Sequence, residues 1–347
     1  MQQMTPLARR LPFGELDPST VLEAVESTGL PADGRLFALN SYENRVYRVG
    51  LDAPLYAATT AAPGIVPDSL IVKFYRPERW SDAQIQEEHD FGRELAEAEL
   101  PVAAPVFRDG ASLHRYRGFR FALFECRRGG APELDAPGAR ALLGRTLGRV
   151  HAVGARRRFL SRESLMDSHW GARARRTVLE LDVVPAATLE RYERVTHELS
   201  VAIRSAFESA GPYRQLRLHG DCHLGNILWD ATGPVFVDLD DAINGPCVQD
   251  LWMFLSGGDS DTQRAEWMQL LEGYEQFASF DFREVALIEP LRALRMMNHA
   301  AWLATRWEDP AFPRAFPWFA EGRFWERHVA DLVDQLQVLQ DPPLLRS

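Results

Sequence analysis

The alternation of apolar and polar positions divides the chain into a strand-patterned first third and a helix-patterned remainder. Residues 17–29 carry Val21, Leu22 and Val25 on one side, with Asp17 or Ser19 available as N-cap, and predict a helix. Arg35–Leu39 and Arg45–Val49 read as strands around the polar turn Asn40-Ser41-Tyr42-Glu43-Asn44. Residues 52–67, rich in Ala, Pro and Gly, predict an exposed loop. Next come a strand over Leu70–Tyr75, a helix over Trp80–Leu100 with Ser81 as candidate cap, and a strand over Phe119–Glu125. That strand runs into the hinge-like Arg127-Arg128-Gly129-Gly130. Beyond it, helical spacing recurs at 136–152, 187–209, 262–278 and 283–307. The order predicts an α+β protein of two lobes: a strand-rich lobe over 1–126 and a mostly helical lobe over 127–347.

One stretch interrupts the helical part. Leu218–Trp229 holds His219-Gly220-Asp221 and, five residues after the aspartate, Asn226. After the turn Asp230–Pro234, Val235-Phe236-Val237 runs apolar into Asp238-Leu239-Asp240. Two apolar runs around a short Asp/Gly/Pro turn predict a hairpin, which carries Asn226 and Asp238 to neighbouring points on one wall. Singly, Asp221 and Asn226 are ordinary turn residues. Together the three suit phosphoryl transfer: Asp221 takes a proton from a hydroxyl, while Asn226 and Asp238 hold magnesium on nucleotide phosphates. His219 is expected to brace the loop, His223 to lie in the loop or at the surface, and Asp250 to cap or brace it. Asp240 is expected on the same strand side as Asp238. Cys222 reads as a small packing residue rather than a redox thiol.

The bulk composition narrows the function classes. The chain has 347 residues, 46% hydrophobic and 25% charged, with a net charge of -10. That balance disfavours a general nucleic-acid binder. Arg156, Arg157, Arg158, Arg173, Arg175 and Arg176 are expected to form a solvated face. Three cysteines without a Cys-x-x-Cys pair imply neither a disulfide framework nor a zinc site. No 18-residue apolar run exists, and no apolar stretch follows Arg9-Arg10. The expectation is a cytoplasmic monomer that neither spans a membrane nor carries an export signal.

Lys73 is the single lysine among the 39 basic residues, and it stands mid-strand in Leu70-Ile71-Val72-Lys73-Phe74-Tyr75. An ammonium on a flexible stem meets a phosphate oxygen as a point charge, which a planar guanidinium does differently. The bland reading is a lone lysine snorkelling from an edge strand. Of the carboxylates on the following helix, Glu88 is the first candidate to hold Lys73 and Glu87 the second. Glu88 precedes Phe91 by three residues and Leu95 by seven, which sets it near the apolar stripe. The turn at 40–44 is a candidate phosphate cover through backbone N–H groups and the Ser41 hydroxyl, although it has no glycine.

His219-Gly220-Asp221-x4-Asn226 with Asp238-Leu239-Asp240 resembles the aminoglycoside phosphotransferase and choline kinase group of the protein-kinase-like fold. A closer resemblance, to the bacterial stress response kinase A family, rests on strings spread over nearly the whole chain. They are Leu39–Tyr47, Val72–Trp80, Pro101–Val106, Leu287–Ala293 and Trp307–Pro313. It implies an ATP- and magnesium-dependent serine/threonine protein kinase of the stress response, with a protein hydroxyl as acceptor. Asp221 matches the family's proton acceptor, Asn226 and Asp238 its magnesium ligands, and Ser41 its ATP-contacting serine; Lys73 matches the nucleotide lysine of the wider fold. Within the same fold the alternative is a small-molecule kinase acting on an amino alcohol, sugar or antibiotic. Readings from other classes are a nucleotide-binding scaffold without turnover and an aspartyl-phosphate phosphatase built on Asp238-x-Asp240.

Overall fold

Capping chemistry starts the first helix, α1 (Pro18–Glu26). Asp17, not Ser19, is its N-cap: the carboxylate accepts the Thr20 N–H at 2.7 Å, and Pro18 takes the first helical position. In the computed structural model, which describes residues 11–56, 64–165, 170–256 and 259–340, α1 precedes a five-stranded sheet. The strands are β1 (Ala32–Ala38), β2 (Arg45–Leu51), β3 (Ile65–Phe74), β4 (Leu113–Tyr116) and β5 (Phe119–Arg127). They are antiparallel in the order β1-β2-β3-β5-β4. β3 begins at Ile65 and so takes in the end of the expected loop; residues 57–63 of that loop lie outside the described residues. β4, an edge strand of sequence Leu-His-Arg-Tyr, is absent from the expected elements because it has no run of alternating apolar residues.

Side-chain alternation gives the sheet two unlike faces. Val72, Phe74, Phe121 and Leu123 pack with Val21, Ala24 and Val25 of α1. Lys73 points the other way with Tyr75, its ammonium 5.0 Å from the Tyr75 ring and 5.2 Å from the Phe124 ring. The helix α2 (Asp82–Glu97) opens with a capping box. Ser81 Oγ accepts the Gln84 N–H at 3.3 Å and Gln84 Oε1 accepts the Ser81 N–H at 2.9 Å.

Residues 1–86 with 105–127 form one compact unit, and 87–104 with 128–347 form a second. One change of unit falls after residue 127. Residues 87–104, grouped with the first lobe by pattern alone, pack in the second unit, because Phe91, Leu95, Leu100 and Val102 join its hydrophobic core.

The second unit is mainly helical: α3 (Ala139–Gly154), α4 (Trp170–Glu180), α5 (Ala186–Ser209), α6 (Ser260–Tyr274), α7 (Ile288–Arg306), α8 (Ala311–Ala315) and α9 (Gly322–Gln340). Between α5 and α6 lie the short strands β6 (Leu216–Leu218), β7 (Ile227–Asp230), β8 (Gly233–Phe236) and β9 (Ile243–Gly245). The helix expected over 283–307 divides into a 3-10 turn, Phe282–Leu287, and α7, with Pro290 tolerated in the first turn. α4 was not expected because its buried stripe is Gly171, Ala174 and Val178, too small to raise the apolar signal. α9 was not expected either, although Trp325, Val329 and Leu332 recur there at helical spacing. α3 and α6 pack backbone to backbone: a Cβ on Gly144 would stand 1.9 Å from the Leu270 carbonyl oxygen. That close approach brings His151 of α3 within 2.9 Å of the Tyr274 hydroxyl at the end of α6. Two of the six arginines of the expected face are paired at the surface, Arg173 with Glu163 at 3.0 Å and Arg157 with Glu94.

Candidate active site

The expected hairpin forms. β7 pairs antiparallel with β8 in the register Ile227↔Phe236 to Asp230↔Gly233. The ladder extends one step past the strands, because Val237 N–H donates to the Asn226 carbonyl at 3.0 Å. Asn226 therefore stands beside Val237, one residue from Asp238. At Asp238 the chain leaves the strand in a left-handed conformation (φ 59°, ψ 71°), an uncommon state that aspartate tolerates better than most residues. Leu239–Asp241 then forms a 3-10 turn. The two-residue period consequently fails at Asp240. Its side chain is buried, whereas Asp238 is exposed.

An arginine that sequence reasoning missed supports this turn. Buried Arg162 donates through Nη1 to the carbonyls of Asp240 at 2.8 Å and Ala242 at 2.9 Å, and through Nη2 to Glu88 at 3.2 Å. Glu88 is 1% exposed, so it is no surface glutamate. Glu87 is not idle either: its carboxylate accepts the N–H groups of Leu160 at 2.7 Å and Arg162 at 3.0 Å. No spacing rule joins Arg162 to Glu88, which lies 74 positions away.

The loop holding Asp221 is fixed from below. Gly220 has φ 86°, and a Cβ there would lie 2.0 Å from the Asp241 carbonyl oxygen, so the motif needs glycine on both counts. Fully buried Asp250 accepts the His219 N–H at 2.7 Å and the Gly220 N–H at 2.9 Å, and lies 3.1 Å from His151 Nε2. His219 Nε2 donates to the Val237 carbonyl at 2.9 Å, tying the loop to the strand before Asp238. Asn226 Nδ2 donates to the Asp221 carbonyl at 3.0 Å. Because that bond uses the amide nitrogen, Oδ1 is the end of Asn226 that can serve a cation. Bracing roles for His219 and Asp250 agree with this geometry. Burial, and secondarily Asp250 and Asp221, push the Cys222 thiol well up, which makes it a packing residue rather than a reactive thiolate.

The Asp221 carboxylate meets two groups. Arg295 of α7 donates to Oδ1, and His223 Nε2 lies 3.3 Å from Oδ2. His223 is thus engaged with Asp221, not merely a loop residue, and Arg295 carries no sequence signal because it lies 74 positions downstream. Burial opposes the charged form of Asp221, but the His223 hydrogen bond and the Arg295 charge outweigh it and hold the carboxyl below the usual aspartate range. A lowered folded pKa adds stability that is present above the unfolded value of 3.8 and lost as pH falls through the folded one. Asp221 is therefore expected to stay ionised, and a pH profile of kcat/KM to show no acid limb from Asp221 above about pH 5. An acid limb in that range that disappears in Asp221→Glu would contradict the assignment.

Ser41 and Lys73 belong to the first unit. The turn carrying Ser41 is held by Arg76 instead of by glycine. Arg76 donates through Nε to the Glu43 carbonyl at 2.9 Å and through Nη2 to the Tyr42 carbonyl at 3.2 Å, and its N–H reaches Asn44 Oδ1 at 3.1 Å. Ser41 Oγ donates to the Asn44 carbonyl at 3.2 Å. Lys73 is 5% exposed and stands in register with Val46 on β2 and Ala122 on β5.

An amide oxygen and a carboxylate suit a hard divalent cation that takes its remaining oxygens from phosphates and water. Among the described residues no group of three or more His, Cys, Asp or Glu side chains forms a closed metal cage. None of the described helices is long and apolar enough to cross a membrane.

The model of the phosphotransferase enzyme family matches residues 38–288. Stress response kinase A of Escherichia coli K12 is 42% identical over 332 residues, covering 96% of each chain. Serine/threonine protein kinase RdoA of Salmonella typhimurium is 40% identical over the same share. Among solved structures, amicoumacin kinase hAmiN in complex with AMP-PNP, Ca2+ and Ami has the same fold, at TM-score 0.70 and 18% identity over 95% of this chain and 96% of that one. With its kinase-like α+β fold, the chain belongs to the phosphotransferase enzyme family and, within it, to the stress response kinase A family of kinases.

Proposed function

We propose that the protein is a serine/threonine protein kinase of the bacterial stress response, transferring the γ-phosphoryl group of ATP to a protein hydroxyl with magnesium. The observation that carries the reading is the join of two braced segments: Asn226 paired with Val237, the residue before Asp238, at the end of the hairpin, and Asp221 on a loop held by Asp250. In this reading Asp221 accepts the proton of the acceptor hydroxyl, while Asn226 Oδ1 and the Asp238 carboxylate are the magnesium ligands. Magnesium, when bound, neutralises charge on the phosphates. Ser41, Lys73 and Glu88 are assigned to nucleotide binding. Rate enhancement then comes from positioning and fixed charge, with no covalent enzyme intermediate. The names of the relatives support a protein acceptor and a stress role, and three buried free cysteines fit a reducing cytoplasm.

The test is incubation with γ-labelled ATP, magnesium and a panel of serine and threonine peptides beside small alcohols. Label is expected on peptide hydroxyls and should fall by about 10²–10³-fold in Asp238→Ala. Label confined to small alcohols would replace the protein kinase reading with a small-molecule kinase. Unchanged labelling by Asp238→Ala would remove that residue from the site.

A further inference from the structure

Arg295 is the residue at the base that neither the motif nor the mechanism above accounts for. It lies on α7 in a stripe with Arg292, His299 and Trp302, spaced three or four residues apart. Its guanidinium rests on Asp221 Oδ1 while its side chain stays 45% exposed. From Pro290 to Arg306 the helix holds Arg292, Arg295 and Arg306 and no carboxylate. Its one acidic residue, Glu289, is buried and bound by Arg292 at 3.1 Å and Gln335 at 2.8 Å. Further along the stripe His299 stacks between Trp302 and Trp318, at ring distances of 5.9 and 6.4 Å. Burial, with Arg295 adding to it, lowers the His299 pKa and keeps that ring neutral. The α7 face next to Asp221 thus presents the half-exposed Arg295 guanidinium, paired with Asp221, and then aromatic rings, in a protein whose net charge is -10.

An acceptor hydroxyl must come within hydrogen-bond reach of Asp221 to lose its proton. Whatever is attached to that hydroxyl then lies in the field of Arg295, and the same charge that holds the base ionised also screens acceptors. We propose that Arg295 is a specificity-determining residue: its charge favours hydroxyls on neutral or acidic acceptors, such as serine or threonine flanked by carboxylates, and disfavours acceptors bearing an amine near the hydroxyl. The inference rests on the kinase reading above and adds the acceptor's charge class to it. Arg295 acts by charge alone and takes no part in bond making.

The experiment compares one serine peptide flanked by Glu, by Ala or by Arg, and in parallel an acidic hydroxy acid and an amino alcohol as small acceptors. Wild-type kcat/KM is expected to favour the Glu-flanked over the Arg-flanked peptide by about tenfold at low salt, fading as salt rises. Arg295→Gln should bring that ratio to within about twofold, mainly through KM, and Arg295→Lys should restore it, because the point charge survives without the fork. A wild type that prefers the Arg-flanked peptide, or an unchanged ratio in Arg295→Gln, overturns the proposal. If no peptide is labelled but the small alcohols are, the protein kinase reading fails, and the order of hydroxy acid over amino alcohol still decides the role of Arg295. Should Arg295→Gln melt early, the wild-type ranking decides alone. A preparation that labels neither class overturns both.

Discussion

Asp221→Asn is expected to lower kcat by about 10²–10⁴-fold while ATP still binds. The substitution keeps the shape of the side chain and removes the oxygen that would take the proton. One of the two carboxylate contacts must also be lost, since an amide offers only one oxygen to Arg295 and His223. The Asn226 contact is to the Asp221 backbone carbonyl, so the substitution leaves the Asn226 end of the hairpin in place. Titration with a fluorescent ATP analogue checks binding, and single-turnover labelling checks chemistry. A kcat within tenfold of wild type would transfer the base role elsewhere. A lost affinity would mean that Asp221 shapes the nucleotide site.

Asp250→Ala is expected to be the most destabilising change at the site, costing about 3 kcal/mol or more. Two backbone donors, the buried His219 N–H and the half-buried Gly220 N–H, lose their acceptor, and His151 loses one partner. Gly220 already lies against the Asp241 carbonyl, which limits how far the loop can shift toward another acceptor. The loop that carries Asp221 should then loosen, so kcat falls together with stability. Denaturant unfolding measures the first effect, and amide exchange at His219 and Gly220 measures the second. A loss below about 1 kcal/mol, with both amides still protected, would show that the loop is held by other contacts.

Much of the architecture was legible in the sequence. Asp17, weighed with Ser19, and Ser81 marked two helix starts, and the turn Asp230–Pro234 marked the hairpin, because these signals act between residues a few positions apart. The same local logic marked Asp221, Asn226 and Asp238 as a group. It failed at Asp240, where a left-handed Asp238 ends the strand and resets the side-chain period. It missed α4, whose small buried residues give little apolar contrast.

The partners of those residues were decided only by tertiary structure. Arg295 reaches Asp221, Arg162 reaches both Glu88 and the Asp240 carbonyl, and Asp250 reaches the amides of the Asp221 loop across 30 and 31 positions. Residues 87–104 joined the second unit because their apolar side chains found its core, not because of any local signal. Local spacing encodes what a short segment does with its own backbone. Burial and charge pairing depend on which distant segment arrives beside it, and that is settled only when the whole core packs.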